Sequence, residues 1–254
     1  MRHPLAIRRT ALRAGSALLT PVLSAMLVAG CAALPDTEPA VLLLGEQHDA
    51  ADHHRRHLET VQRLAAHGRL AALAMEMAEQ GASTTGLAAD ASEAAVRASL
   101  RWNEAAWPWA AYGPVVMAAV RVGVPVLGAN LPRERMRAVM ADAALDQALP
   151  EDALARQRAA IRDGHCGLLP EGQIVPMTRI QVARDRAMAD TLAGAARPGK
   201  TVVLVAGSGH VDPALGVPRH LPSTLAVRQV RWPAPEGPGK DYCGELRRQL
   251  GPRG

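Results

Sequence analysis

Phenylalanine is absent from this 254-residue chain, and four tryptophans and two tyrosines supply all of its aromatic side chains. A core must then be built from Ala, Leu, Val and Met, and any gathering of the few large rings becomes informative. Cysteine occurs three times, with no C-x-x-C or C-x-x-C-H, so neither a zinc ribbon nor covalent c-type haem attachment is indicated. No H-E-x-x-H places two histidines on one helix face for a metal, and Ser208 stands in G-S-G-H rather than in a G-x-S-x-G nucleophile elbow. No glycine-rich loop runs into Lys-Ser/Thr to cradle phosphate. Basic clusters with interleaved aromatics are missing too, which argues against a nucleic-acid partner.

The formal charge of +5 carries little meaning for the folded part. Arg2, Arg8, Arg9 and Arg13 fall within the first 30 residues, which hold no acid, so the remainder is nearly neutral. Those residues read as an export signal, a basic start followed by an apolar stretch from about Ala14 to Ala29 that is too short to span a bilayer. Val28-Ala29-Gly30-Cys31 resembles a bacterial lipobox, which implies lipidation at Cys31 and a membrane anchor there. Ala32 after it implies the outer membrane of a two-membrane cell, on the periplasmic side or at the cell surface. Cys166 and Cys243 are then the cysteines left over, and an oxidising compartment favours a disulfide between them.

What the chain does have is one local pattern, written twice. Residues 41–44 (VLLL) and 201–206 (TVVLVA) read as buried strands, each followed by a turn of the form G-x-x-H, G-E-Q-H at 45–48 and G-S-G-H at 207–210. Two further runs, at 70–77 and 124–127, finish near Glu76 and Asn130. In an open parallel sheet, ligands bind in the crevice outside the carboxyl ends of the strands, so Glu46, His48, Glu76, Asn130 and His210 are expected to share one edge. The fold class expected is α/β, a mostly parallel sheet flanked by helices, with residues 134–176 as a helical insertion covering the strand ends as a lid.

The order along the chain is then a signal peptide (1–30), a tether (31–39), an α/β domain (40–232) and a Pro/Gly-rich tail (233–254). Residues 49–67 read as a helix capped by Asp49 or Asp52, with His54 and His57 prolonging an apolar stripe and His53 beside them. Residues 100–112 hold three of the four tryptophans and Tyr112, a wall for a flat ligand or a core filling, and a tyrosine oxygen can bind ferric iron. Arg133 opens the turn after Asn130, residues 163–176 read as a loop, and Gln181 and Asp185 share a face of a helix over 178–196. Residues 224–232 alternate as an edge strand.

Several segments together carry a family resemblance. G-E-Q-H-D at 45–49, His53-His54, Glu76-Met77, W-P-W-A-A-Y ending at Tyr112, N-L-P-R at 130–133, Q-V-A-R-D-R-A-M-A at 181–189 and G-S-G-H at 207–210 resemble the ChaN-like haem-binding lipoproteins, in the superfamily that includes the Tiki proteases. The resemblance covers about residues 40–220. It implies a haem-binding outer-membrane lipoprotein of iron or haem acquisition, with a homodimer and an outer-membrane haem or iron transporter as its partners. It also implies a tyrosine on the haem iron and a histidine near the porphyrin's acidic side chains. Tyr112 is the expected ligand, with His48 and His210 next, and Tyr242 is the other tyrosine. The alternative, by resemblance to Tiki, is a hydrolase holding zinc or manganese on His48, His210, Glu46 and Glu76, with Glu46 or Glu76 activating water. A third reading is a structural lipoprotein whose polar crevice is empty.

Overall fold

The computed structural model describes residues 38–234 and 240–250, so the export signal, Cys31 and most of the tether lie outside the described residues. Five strands, β1 (Val41–Glu46), β2 (Leu70–Glu79), β3 (Val126–Asn130), β4 (Thr201–Gly207) and β5 (Val227–Arg231), form one sheet in the order β3-β2-β4-β1-β5, and every pairing is parallel. The central strands β1 and β4 are unbroken apolar runs buried on both faces, as strands between two helical layers must be. Pleating divides their side chains. Leu42, Leu44, Val203 and Val205 face α1 (Ala51–Ala66) and α3 (Trp109–Val120), whereas Val41, Leu43, Val202 and Leu204 face α6 (Glu171–Ala195). That alternation decides where the polar residues at the strand ends go.

The helices between and beside these strands depart from expectation in physical detail. Neither Asp49 nor Asp52 caps α1; Ala50 occupies the cap position with no side-chain bond, while Asp52 lies in the first turn, where it suits the helix dipole and pairs with Arg55 and Arg56. The apolar stripe of α1 runs upstream through His57 and His53, both buried, rather than through His54. After α2 (Glu93–Ser99) and β3, the insertion folds as α4 (Met136–Ala141) and α5 (Glu151–Gly164), the latter opened by Pro150. The loop expected over 163–176 shortens to 165–170, because α6 starts at Glu171 and takes Pro176 into its early turns.

The insertion is no lid over the larger cavity described below. Val139, Leu145, Leu149 and Leu154 pack instead on Ile180 and Val182 of α6. Beyond β5 the tail ends in α7 (Tyr242–Leu250), tied back to the loop after α5 by a Cys166–Cys243 disulfide with Cα atoms 5.6 Å apart.

Candidate functional site

The two G-x-x-H turns interlock at the carboxyl edge of the sheet. β1 and β4 pair with Glu46 opposite Gly207, and Ser208 N–H donates to the Glu46 carbonyl at 2.9 Å. Each turn's first glycine leaves room for the other turn. A Cβ on Gly45 would stand 2.4 Å from Val211 Cγ2, and one on Gly207 would stand 2.9 Å from His48 Nε2. Missing side chains on both strands therefore allow the turns to close.

Pleating sends the two carboxylates to opposite faces. Glu46 faces α1 and α3, where its Oε1 accepts from the Tyr112 hydroxyl at 2.6 Å and meets His48 Nδ1 at 2.8 Å. His57 Nδ1 lies 3.2 Å from Glu46 Oε2 but misaligned, so both nitrogens of this buried ring and Glu46 Oε2 itself lack a hydrogen-bond partner. Burial first, then the neighbouring histidines, press the His57 pKa down to about 3. For His48 burial acts downward as well, but the bond to Glu46 and the charge of Glu76 outweigh it, and its pKa is raised. The Tyr112 phenol moves far above the ordinary value through burial and the Glu46 charge.

Glu76 faces α6. His210 bridges it to Asp185, with Nδ1 2.6 Å from Asp185 Oδ1 and Nε2 3.3 Å from Glu76 Oε1, while Gln181 Nε2 stands 3.1 Å from His210 Nδ1. Gly207 N–H donates to Glu76 Oε2 at 2.7 Å. Burial alone would keep this imidazole neutral, yet the flanking carboxylates raise it to about 10, and its charge in turn holds Glu76 down near 2. His210 is therefore an imidazolium clamped between two acids.

Two hollows adjoin this edge. The larger, about 790 Å³, lies against α1 and α3 and is bordered by His48, His54, Leu58, Trp107, Ala111 and Tyr112, and by Lys240 and Tyr242 from the tail. Pro114 also borders it; lacking an N–H, it cannot donate to the carbonyl of Ala110, another wall residue. The volume and the mostly apolar lining with a few polar groups suit a cofactor-sized ligand. Tyr242 is half exposed at this wall, and partial burial together with a bond to Asp49 raises its phenol to about 12. A smaller crevice of about 480 Å³ opens beside Glu76, Asn130 and Arg133.

The expected residues thus divide. His48 and His54 border the large cavity; Asn130, Arg133 and Glu76 border the crevice; Asp185 holds His210, with Gln181 beside the ring. His53 belongs to neither hollow. Its Nδ1 accepts Gln47 N–H at 3.0 Å and its Nε2 bonds the Pro233 carbonyl at 3.1 Å, a structural tie. Of the three tryptophans only Trp107 lines the cavity, because Trp102 and Trp109 stack edge to face at 5.1 Å and spend their N–H groups on Trp107 O and Glu93. Tyr112 sits in the wall, but it is buried, with its hydroxyl donated to Glu46 Oε1, whereas Tyr242 is half exposed.

His210 is buried among its acids and does not border the large cavity. The metal expectation finds no support: among the described residues no three His, Cys, Asp or Glu side chains are disposed as a metal-ion site. Sequence reasoning missed Lys240 and Arg55 at the cavity, and Arg101 and Arg184 at the crevice.

No curated protein sequence matches the chain. Among solved structures, that of ChaN from Campylobacter jejuni, described as showing cofacial heme binding, matches with a TM-score of 0.62 at 24% sequence identity, over 76% of this chain and 81% of that one. A family model described as "Haem-binding uptake, Tiki superfamily, ChaN" matches residues 37–221. With most of its length matched, this chain belongs to that family of the Tiki superfamily.

Proposed function

We propose that this protein binds haem in the cavity between α1, α3 and the tail, as an exported lipoprotein of haem or iron uptake. One observation carries the reading: a mostly apolar hollow of about 790 Å³ is bordered by the exposed phenol of Tyr242 and by two cations, Arg55 and Lys240. A flat porphyrin with acidic side chains needs those three things. Leu58, Trp107 and Ala111 offer apolar faces, His48 borders the rim, and Arg55 and Lys240, now paired with surface acids, would exchange those partners for acidic groups of the ligand. In this reading Tyr242, the half-exposed phenol of the wall, is the oxygen ligand to the iron, and Tyr112, fully buried, braces Glu46 behind the wall. When bound, the haem supplies the iron being carried; the chain's residues supply enclosure, charge and one oxygen ligand.

Residues 1–31 support the export and lipidation part of the proposal, with Cys31 as the lipid-bearing residue and the outer membrane as destination. A homodimer and an outer-membrane haem or iron transporter complete it. Labelled fatty acid should enter the wild-type protein in cells and be lost in Cys31→Ser; labelling that survives that change contradicts the anchor.

Haemin titration of the full chain, followed by absorbance, tests ligand and site together. The expected result is a saturable Soret shift with a high-spin tyrosinate spectrum that Tyr242→Phe abolishes and Tyr112→Phe preserves. Loss in Tyr112→Phe alone moves the iron to Tyr112, and absence of any saturable shift contradicts haem binding.

A further inference from the structure

We infer that the crevice beside β2 and β3 is a second ligand site, built for a small polycarboxylate. Arg101, Arg133 and Arg184 reach its walls from three separate segments. Elsewhere the fold spends arginines on carboxylates, as Arg179 on Asp146 and Arg162 on Glu171. Among the described residues, none of these three side chains makes a hydrogen bond or ion pair, and Arg184 Nε is buried without a partner. A buried donor left unpaired is unfavourable, and an incoming acceptor relieves it.

Arg101 adds an independent sign. It follows α2 with φ of +49°, the left-handed position where helices ordinarily end in glycine. The chain carries a long cation at a conformationally costly place, and that cation borders the crevice.

The two asparagines of the crevice leave donors free, and of its two acids only Glu79 keeps an unbonded oxygen. Asn103 and Asn130 accept Ala106 N–H and Leu131 N–H through their side-chain oxygens, so their amide N–H groups remain. Glu76 is engaged by His210 and Gly207 N–H, and Glu79 accepts Arg133 N–H through Oε1 at 3.1 Å, so three guanidinium groups outnumber the acids they meet there. Three forked guanidinium groups around about 480 Å³ match several planar carboxylates on one small molecule better than they match a single point charge. Ala106 and Trp107 border this crevice and the larger cavity alike, so the two sites share a thin wall. The inference stands without haem.

Calorimetric titration of the full chain with citrate, acetate and inorganic phosphate tests it. Citrate should bind saturably at one per chain and more tightly than acetate or phosphate. Arg101→Ala and Arg184→Ala should each weaken it by about tenfold or more. Arg184→Lys, which keeps charge but not the fork, should also weaken it, whereas Tyr242→Phe should not. Circular dichroism of the variants should stay native, since neither arginine side chain supports the fold. Tighter binding of phosphate with the same arginine dependence overturns the polycarboxylate assignment. No saturable anion binding, or citrate binding indifferent to both alanine variants, overturns the site.

Discussion

His57, together with His220, makes this fold sensitive to acid. The His57 ring is fully buried with both nitrogens unpartnered, and its pKa in the fold is about 3 against an ordinary 6.5. The unfolded chain therefore takes up a proton near pH 6.5 that the folded chain refuses, so stability present above that pH is lost as pH falls towards 3. Between pH 7 and 5, His57 alone should cost about 2 kcal/mol. Urea melts of wild type and His57→Gln at both pH values should show a smaller pH dependence in the variant; an unchanged difference refutes the assignment. His210 works oppositely: raised to about 10, it stabilises fully below about pH 6.5 and loses that contribution as pH rises through 10. Gly207 offers another residue-scale test. A methyl group there would stand 2.9 Å from His48 Nε2, so Gly207→Ala should displace the ring and destabilise by about 1–3 kcal/mol, read by the imidazole resonance and by melting.

At the scale of elements, the disulfide matters more than the helix it holds. Cys166 and Cys243 close a separation of 77 residues, and Tyr242 is the immediate neighbour of the second cysteine. Replacing both by serine should lower stability by about 2–4 kcal/mol. It should also release Tyr242 and Lys240 from the cavity wall, so that haemin binds more weakly while citrate binding stays unchanged. Equal haemin affinity in the double serine variant would show that α7 is not part of the site. The strand-turn pairs around β1 and β4 were legible from the sequence because apolar runs and G-x-x-H turns are local signals, and strand-end placement follows from a parallel sheet. α7 at the cavity was not, because a bond between distant cysteines sets its place. Arg101 was hidden for a different reason: its left-handed backbone follows no side-chain pattern. The insertion over 134–176 packs its apolar residues on α6, and its Met136 borders the crevice at the strand ends but not the larger cavity.

For the molecule as a whole, the sheet acts as a partition. Alternation along β1 and β2 delivers Glu46 to one face and Glu76 to the other, so one edge carries two differently equipped hollows, one mostly apolar with a phenol and one rich in arginine. From the sequence both carboxylates appear at the same edge; only the pleat separates them, and the irregular register at the end of β2 lies beyond periodicity. The central claim is that haem occupies the cavity on the α1–α3 face. The most direct measurement compares haemin titrations of wild type, Ala111→Trp, which fills that cavity, and Arg184→Ala, which alters only the crevice. Saturable binding in wild type and Arg184→Ala, lost in a natively folded Ala111→Trp, is the predicted result. Haemin binding that survives Ala111→Trp, or that depends on Arg184 instead, would contradict the account.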